Sequence, residues 1–283
     1  MEYLNYAQLI LGPAGSGKST YCKIIQEHGI AQKRVIKVIN LDPAAEKFGY
    51  NCDIDIRELI NVNDVMKKLK LGPNGALLYC MEYLGQHIDW LEDKFDQNGD
   101  NVYYLIDCPG QLELYSHYDI MKRITNYLKK RGFSICSVFC LDCTFLQEQS
   151  KFISGNVLSL ATMIQMELPH LTVMTKCDLI SKSKILQDIE EGLEPEELVK
   201  ELNPFFGKKM NKLNKLLTNF VKDYSLVDFN TLNVNDEESI NAVLYNADTI
   251  LQYLESQDPR DDIYDQAEKD IMPIQEENDF DNN

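Results

Sequence analysis

The sequence predicts a three-layer α/β protein, with a mostly parallel sheet covered by helices on both faces. Short, strongly apolar segments recur along the chain with helical stretches between them, which is typical of parallel strands joined by helical crossovers. Glycine-rich or acidic residues follow several of these segments, at the strand ends where open α/β sheets bind ligands. The 283 residues, of which 44% are hydrophobic, supply ample material for the core of such a fold.

The element boundaries follow from the apolar segments and from the glycine and proline residues between them. Strands are predicted at residues 6–11, 34–39, 101–106, 133–141, 170–174 and 225–232. Helices are predicted at residues 19–27, 55–70, 77–91, 113–131, 145–168 and 236–254. His28 and Gly29 are expected to end the first helix, because glycine readily takes the left-handed cap conformation.

A single folded domain is expected over residues 1–257, with helical insertions at about 55–100 and 181–223. The second insertion is first acidic and then rich in lysine, and we interpret its charges as solvated helix faces without chemistry. Residues 258–283 contain ten acidic and two basic residues and few apolar ones. This acidic tail is expected to be disordered, because it has too little apolar surface to bury.

Composition excludes several classes of function. A net charge of −17 argues against direct binding of nucleic acid, and no apolar run approaches the roughly 18 residues of a membrane span. The first five residues lack the basic and apolar regions of a signal peptide. The eight cysteines suit reduced, buried thiols rather than disulfides. We therefore expect a cytoplasmic protein that contacts neither membrane nor nucleic acid.

Three of the cysteines raise the alternative of a metal or redox site. Cys140 and Cys143 have the spacing of a ligand pair, and Cys136 lies upstream. Alternation along the predicted strand sends Cys136 and Cys140 to the same face, and no second ligand pair follows in the sequence. Core packing of these thiols is the favoured interpretation.

The clearest motif is a phosphate-binding loop between the first predicted strand and helix. It matches the pattern G-x-x-x-x-G-K-[ST] at every position. The predicted nucleotide-binding residues are Gly12, Pro13, Ala14, Gly15, Ser16, Gly17, Lys18, Ser19 and Thr20. The glycines let successive N–H groups point at one anion, Lys18 is expected to reach the β- and γ-phosphates, and the Ser19 hydroxyl to hold Mg²⁺. A plain glycine-rich turn is the alternative, but the full match between strand and helix favours a fold of the P-loop NTPases.

Two further strand ends carry acidic residues that suit a metal–phosphate site. Asp42 opens an Asp-Pro-Ala-Ala segment after the second strand, although Asp-Pro is also a common turn opener. Asp107 ends the third strand and opens Asp-Cys-Pro-Gly-Gln, where its carboxylate suits the Mg²⁺ shell. In the same motif, Gly110 can register a γ-phosphate and the amide of Gln111 can orient a water.

The segment Gly72-Pro73-Asn74-Gly75 is predicted to form a tight, exposed turn, because proline pre-sets φ and Asn-Gly tolerates positive φ. In isolation it would be a simple connector between helices. Apolar residues then recur at spacings of four and three on one predicted helix. These residues are Leu77, Met81, Leu84, Ile88 and Leu91. Packing within the chain and packing against a partner helix both explain this seam.

The segment Thr175-Lys176-Cys177-Asp178 follows the fifth predicted strand and indicates that the site binds a guanine base. The Asp178 carboxylate can accept hydrogen bonds from N1–H and the exocyclic amine of guanine, whereas adenine would leave this charge unpaired. The Lys176 stem can lie along the base. Thr175 replaces the usual asparagine, keeping a hydroxyl but losing an amide. A second base-contacting loop is predicted, from a weaker signal, near Leu232.

Over roughly residues 4–256, the chain resembles the GPN-loop GTPases. Four segments, in this order, carry the resemblance: Asp42-Pro43-Ala44-Ala45, Gly72-Pro73-Asn74, Asp107 to Gln111 and Thr175 to Asp178. Within the family, the resemblance is greatest to the third of three eukaryotic paralogues. It is carried by the phosphate loop extended to Cys22, by Asp178-Leu179 and by residues 236–239. Cys108 stands where many members have threonine.

The resemblance implies a dimer in which Gly72, Pro73 and Asn74 reach into the partner's nucleotide site. Asn74 would there contact the γ-phosphate or the released phosphate. The resemblance also implies a paralogue as heterodimer partner, with a homodimer as the alternative. It further implies a role in RNA polymerase II assembly and nuclear import, and hence contact with polymerase subunits and shuttling between cytoplasm and nucleus.

The predicted reaction is hydrolysis of GTP to GDP and phosphate with Mg²⁺. Lys18 and the loop amides would stabilise charge at the β,γ-bridge, while Ser19 and, through water, Asp107 complete the metal shell. Gln111 would position the attacking water, and Asp42 is the candidate proton acceptor. Because no arginine is evident in the site, Asn74 of the partner and Lys18 would serve part of that need. Slow turnover of the isolated chain and a conformational switch of the dimer are expected.

Two other functions stay open at this point. A P-loop kinase shares the phosphate loop and predicts ATP preference and an acceptor site, but Asp178 and the lack of an arginine-rich lid argue against it. An assembly chaperone that binds GTP and hardly hydrolyses it would have the same motifs. The activity of the chain alone and with its paralogue would separate this chaperone from an active GTPase.

Overall fold

The computed structural model describes residues 5–99, 101–116, 118–147, 149–179, 216 and 229–254. The acidic tail at 258–283 and, apart from Leu216, the insertion at 181–223 lie outside the described residues, and so do the first residues of the strand predicted at 225–232. Among the described residues, no helix combines the length and the apolar character that crossing a membrane requires.

A seven-stranded sheet organises the fold. Its strands are β1 (Asn5–Leu11), β2 (Ile36–Asn40), β3 (Cys52–Asp55), β4 (Tyr103–Asp107), β5 (Phe133–Asp142), β6 (His170–Thr175) and β7 (Phe229–Thr231). They pair in the order β3-β2-β4-β1-β5-β6-β7, and every pair is parallel. The predicted α/β fold class is confirmed, and within the described residues the sheet is wholly rather than mostly parallel.

Helices cover both faces of this sheet. They are α1 (Lys18–Ala31), α2 (Val62–Leu69), α3 (Pro73–Gln86), α4 (Ile88–Asp96), α5 (Glu113–Ser116), α6 (Ile120–Lys130), α7 (Gln149–Met166) and α8 (Glu237–Leu251). Helices α1 and α8 share one core with strand residues such as Ile10 and Val138. Helices α2 to α7 share the other core with Leu9 and Phe139. Neighbouring strand residues alternate between the two cores, which produces the three predicted layers.

The edge strand β3 was not predicted, and the helix expected at 55–70 begins later in the chain than predicted. It is only four residues long and contains two aspartates, which are unusual in strands. Its last residue, Asp55, accepts a hydrogen bond from the Arg57 backbone N–H at 3.0 Å and caps a 3-10 turn at Ile56–Glu58. Helix α2 starts only at Val62, after Asn61 accepts a bond from the Asn63 N–H.

The predicted end of the first helix is wrong. Helix α1 continues through Gly29 to Ala31, and Lys33 rather than a glycine takes the left-handed conformation, with φ of 62°. Gly29 instead allows the helix to approach the sheet, since a Cβ there would lie 2.5 Å from Cδ1 of Ile36. Glycine at this position serves helix–strand packing, a role that local sequence rules do not reveal.

The segment at 72–75 is the start of a helix rather than a tight turn. Gly72 is the N-cap residue with φ of −70°, and α3 begins at Pro73, whose missing N–H costs nothing in a first helical turn. The apolar seam that follows is divided between α3 and α4 at His87. Its members Leu77 and Leu91 are buried within the chain, so the interpretation as internal packing is confirmed. The helix predicted at 113–131 is likewise divided, into α5 and α6.

Candidate nucleotide site

The carboxyl ends of the parallel strands bring the predicted site residues to one edge of the sheet. The phosphate loop follows β1, Asp42 follows β2, Asp107 ends β4 and Thr175 ends β6. Strand β1 lies between β4 and β5; its crossover through α1 leads to β2 on one side, whereas the crossover from β5 through α7 leads to β6 on the other. This arrangement opens a crevice above β1, where open α/β sheets bind ligands.

The phosphate loop has the backbone geometry of an anion cradle. Gly12, Gly15 and Gly17 all have positive φ, and a Cβ on Gly12 would lie 2.4 Å from the carbonyl oxygen of Cys140. Lys18 is the first residue of α1, so the free N–H groups of the helix start face the loop. The Lys18 amino group donates to the carbonyl oxygens of Gly12 at 3.1 Å and Pro13 at 2.9 Å.

Ser16 provides a direct sign that the loop is built for a ligand. Its hydroxyl oxygen is buried and has no hydrogen-bond partner within the part of the chain that the structure describes. A buried polar atom without a partner is costly, and such atoms are rare in folded proteins. A phosphate oxygen seated in the loop would satisfy this hydroxyl, so the residues present fit a nucleotide phosphate.

Asp107 and Ser19 form the candidate metal-binding pair. Oδ2 of Asp107 accepts hydrogen bonds from the Ser19 hydroxyl at 2.7 Å and the Tyr50 hydroxyl at 3.0 Å. Burial raises the pKa of the Asp107 carboxyl, although these two hydrogen bonds and the charge of Lys18 oppose the rise. Hydroxyl and carboxylate oxygens suit Mg²⁺. Among the described residues, no three His, Cys, Asp or Glu side chains lie close enough together to hold a metal ion by themselves.

Asp42 is held by a hydrogen-bonded turn at the end of β2. Its Oδ1 accepts a bond from the Ala44 N–H at 2.9 Å, and its own N–H donates to Oδ1 of Asn40 at 3.0 Å. Burial raises the pKa of the Asp42 carboxyl, while the bond from Ala44 and the charges of Lys18 and Arg57 oppose the rise. A carboxylate with a raised pKa is a better proton acceptor, which is compatible with the role predicted for Asp42.

Gln111 and Asn74 lie together in one chain. The Gln111 side-chain amide donates to Oδ1 of Asn74 at 2.9 Å, beside a cavity of about 240 Å³ that includes Leu78 and Tyr118. The preceding Gly110 packs on the phosphate loop, since a Cβ there would lie 2.8 Å from Cα of Ala14. The family resemblance implies that Asn74 reaches the partner's site, which stays a prediction; in the structure its side chain contacts Gln111 of its own chain.

The predicted base loop is tied to the phosphate loop. The Thr175 hydroxyl donates to the Ser16 carbonyl oxygen at 2.6 Å, so the hydroxyl that replaces the usual amide is used within the protein. The Lys176 amino group contacts Oδ2 of Asp142 at 2.5 Å. Burial would raise the pKa of Asp142, but bonds from Lys176 and Thr144 outweigh it and lower that pKa.

Asp178 follows Lys176 in the same loop. It is half-buried in a 3-10 turn, Cys177–Leu179, directly after Lys176. Leu232 joins this loop from the end of β7, since its N–H donates to Met174 at 2.8 Å and its carbonyl accepts from the Cys177 N–H at 3.3 Å. The weakly predicted second loop is therefore adjacent to the first.

Sequence reasoning missed three polar residues of this edge. Asp142 is the last residue of an apolar strand, as Asp107 is, so the same pattern of a carboxylate at a strand end could have predicted it. Asn40 also ends an apolar strand, but an asparagine beside Asp-Pro looks like a turn residue. Tyr50 belongs to an irregular segment between β2 and β3, where no local pattern signals that its hydroxyl reaches Asp107.

Comparisons with known proteins agree with this geometry. Residues 10–253 match a family model described as "Conserved hypothetical ATP binding protein". GPN-loop GTPase 3 of Danio rerio is 45% identical over 264 residues, covering 90% of this chain and 92% of the relative. GPN-loop GTPase 3 of Dictyostelium discoideum is 43% identical over 258 residues, covering 90% of both chains.

A solved structure shares the fold. A GTPase from Pyrococcus abyssi, determined in its apo form, covers 86% of this chain and 96% of its own, with a TM-score of 0.68 and 19% identity. At that identity the likeness concerns architecture, and it agrees with the predicted three layers. The sequence relatives carry the assignment further, because they match nearly the whole chain at well above 30% identity. This chain belongs to the family of the GPN-loop GTPases.

Proposed function

We propose that this chain is a Mg²⁺-dependent GTPase whose dimer acts as a switch in the assembly and nuclear import of RNA polymerase II. As a GPN-loop GTPase, it binds and hydrolyses GTP. The observation that carries the proposal is the Ser19–Asp107 hydrogen bond beside the unpaired hydroxyl of Ser16. The Ser16 hydroxyl can donate to a phosphate oxygen, and the Ser19 and Asp107 oxygens suit a metal ion.

Guanine rather than adenine is the proposed base, although the family model's description names ATP. Asp178 is the reason, since its carboxylate matches two donors on the guanine edge and would face the N1 lone pair of adenine. Sites that hydrogen-bond their ligand reject analogues lacking those groups strongly. Thr175 supports this arrangement indirectly, because its bond to Ser16 holds the base loop at a constant distance from the phosphate loop.

In the proposed mechanism, each residue acts through the geometry described above. Lys18 exchanges the carbonyl oxygens of Gly12 and Pro13 for phosphate oxygens, so its charge meets the charge that develops between the β- and γ-phosphates. Mg²⁺ held at Ser19 and Asp107 would supply further neutralisation of that charge. Gln111 orients the attacking water, and Asp42 accepts its proton.

Dimerisation and polymerase assembly rest on the family resemblance. We propose a paralogue of the same family as heterodimer partner, with a homodimer as the alternative, and RNA polymerase II subunits as clients. The proposed location is the cytoplasm, with shuttling into the nucleus. In the proposed dimer, Asn74 inserts at the partner's γ-phosphate, as Gly72 and Pro73 present it from the start of α3.

One observation favours the chaperone as second candidate function. The Gln111 amide is already engaged by Asn74 of the same chain, so in an isolated protomer it is restrained at the helix start. A chain that binds GTP but seldom hydrolyses it until a partner draws Asn74 away would behave as a GTP-dependent assembly chaperone.

Calorimetry tests the proposed nucleotide preference directly. The purified chain is titrated with GDP and with ADP in Mg²⁺, and GDP should bind at least about 100-fold more tightly. Asp178→Asn should reduce this ratio by more than tenfold while leaving phosphate-loop binding in place. Equal affinity for the two nucleotides, or no binding of either, would contradict the proposal. GTP turnover of the chain alone and with the paralogue then separates the switch from the chaperone.

A further inference from the structure

Arg57 clamps the irregular segment that connects β2 to β3. Its Nε donates to both carboxylate oxygens of Asp55, at 3.0 and 2.9 Å, and Nη2 contacts Oδ2 at 2.5 Å. From the other side of the guanidinium, Nη1 donates to the carbonyl oxygens of Ala45 at 2.9 Å and Glu46 at 3.3 Å. The planar fork thereby joins the end of β3 to the backbone just beyond Asp42.

A stack of three groups leads from Arg57 to the candidate metal site. The guanidinium lies 4.7 Å from the centre of the Phe48 ring, which stacks on Tyr50 with 4.6 Å between ring centres and an interplanar angle of 4°. Tyr50 is 7% exposed, and its hydroxyl donates to Asp107 at 3.0 Å. The position of the Tyr50 hydroxyl therefore depends on groups that do not themselves touch the phosphate loop.

A second route leads from the same clamp to Asp42. Asp55, besides holding Arg57, accepts a bond from Nδ2 of Asn40 at 2.9 Å. Asn40 is fully buried, and its amide bonds both the N–H of Asp42 at 3.0 Å and the Asp42 carbonyl at 3.1 Å. The pair of Asp55 and Arg57 thus supports both carboxylates, one through Asn40 and the other through the aromatic stack.

We propose that Arg57 and Tyr50 are positioning residues of the GTPase site, which hold Asp107 and Asp42 where a metal–triphosphate complex requires them. The inference rests on the proposed Mg²⁺-dependent function. The Arg57 donors are occupied by Asp55 and by the backbone of Ala45 and Glu46, so it acts through these groups rather than as a cation on the phosphates. A displacement of about 1 Å at a reacting group costs on the order of 100-fold in rate, which is the scale of effect that such support prevents.

Tyr50→Phe gives the sharpest test, because it removes one hydroxyl and keeps the ring that stacks on Phe48. We expect the Mg²⁺ concentration for half-maximal tightening of a fluorescent GDP analogue to rise about tenfold or more. Nucleotide affinity in EDTA should stay at the wild-type value. A purely structural role of Tyr50 would instead change both affinities together or neither.

Arg57→Met removes the clamp itself. We expect the single-turnover rate of GTP hydrolysis to fall about 10- to 100-fold with little change in KM, and Arg57→Lys should not restore it, because lysine lacks the planar fork and its stack on Phe48. Glu58→Gln is the matched control, since it breaks only the exposed pair with Lys94 on the same 3-10 turn. That variant should keep the wild-type rate.

The outcomes are distinguishable. If wild-type protein hydrolyses GTP with Mg²⁺ but Tyr50→Phe and Arg57→Met match it in rate and Mg²⁺ dependence, the inference is wrong and the proposed function stands. If wild-type protein shows no dependence on Mg²⁺, both are wrong. If Arg57→Met does not fold, Tyr50→Phe decides alone, because its stack and core packing are retained.

Discussion

A buried carboxylate lies at each end of the sheet, and the two differ in whether a cationic side chain pairs with them. At the amino ends, Asp248 of α8 receives two hydrogen bonds from Arg34, at 2.7 and 3.1 Å, and the guanidinium lies over the rings of Tyr103 and Tyr253. At the carboxyl ends, Asp107 is buried as deeply, at 3% against 2% exposure. Its recorded donors are hydroxyls, and among the described residues no lysine or arginine forms an ion pair with it.

This difference separates a structural pair from a binding site. Burial lowers the pKa of Arg34, but the hydrogen bond and charge of Asp248 outweigh it and raise that pKa, so the pair is closed and internally neutral. Burial raises the pKa of Asp107, because the two hydroxyl hydrogen bonds and the charge of Lys18 only partly offset the cost of burying the carboxylate. A cation bound from outside the chain would offset this remaining cost, whereas the pair of Arg34 and Asp248 needs no such ion.

The largest effect is expected at the carboxyl end. Lys18→Ala should abolish measurable GDP binding, because no other cation lies in the phosphate loop at residues 12–19 to meet the β-phosphate. Fluorescence titration with a labelled GDP measures this loss. Lys23→Ala is the control, since Lys23 lies exposed on the same helix beside Glu27 and should leave affinity unchanged. Retained affinity in Lys18→Ala would remove the phosphate loop from the nucleotide site.

At the amino end, the expected effect is on folding and not on binding. Asp248→Ala should lower the free energy of unfolding by about 3 to 5 kcal/mol, because it leaves the Arg34 charge buried without its partner. Urea denaturation measures the change, and the folded fraction should bind GDP with wild-type affinity. Replacing the exposed Glu167, which pairs with Lys122 on the surface, should change the free energy of unfolding far less, because solvent screens that pair. A similar small loss for Asp248→Ala would show that the two ends are energetically alike.

Asp107→Asn should weaken Mg²⁺-dependent nucleotide binding and leave the stability of the fold nearly unchanged, which is the reverse of Asp248→Ala. We expect the Mg²⁺-dependent part of GDP affinity to fall about 10- to 100-fold, because an amide oxygen carries no charge for the metal or its water. The free energy of unfolding should stay within about 1 kcal/mol of wild type, since the neutral amide no longer bears the cost of burying a charge. A large loss of stability would mean that Asp107 serves the core as Asp248 does.

The smallest effect is a pH dependence of stability at the amino end of β6. Both ring nitrogens of His170 form hydrogen bonds with hydroxyl groups, Nδ1 with Ser137 at 2.8 Å and Nε2 with Ser159 at 2.9 Å. Burial lowers the pKa of His170 to about 4. The unfolded chain takes up this proton near pH 6.5, so the free energy of unfolding falls as pH drops from 6.5 towards 4. The loss at pH 5 should be about 1 to 2 kcal/mol.

His170→Gln isolates that contribution. Urea denaturation at pH 8 and at pH 5 should show a smaller difference for this variant than for wild type. His87→Gln is the control, because His87 lies on the surface between α3 and α4. If both variants keep the full wild-type pH dependence, other groups cause it.

Local patterns were sufficient for the parts of the site that lie within a few residues of one strand end. The phosphate loop, Asp107 and Thr175-Lys176-Cys177-Asp178 were predicted because each joins a short apolar strand to a distinctive polar segment. Tyr50 and Arg57 could not be predicted in this way. Their roles depend on where the segment between β2 and β3 returns to the sheet, and that path is decided by contacts between residues 48, 50, 55, 57 and 107.

By itself, the sequence determined the α/β class, the positions of six strands along the chain and the residue types at the nucleotide edge, because these depend on apolar periodicity and on local backbone chemistry. The tertiary structure decided which groups meet. It placed Gly29 against Ile36, turned Gly72-Pro73 into a helix start, and brought Asn74 to Gln111. Asn74 and Gln111 are distant in sequence, and Gly29 and Ile36 lie on different elements, so these contacts depend on the packing of the whole sheet and its helices rather than on any local preference.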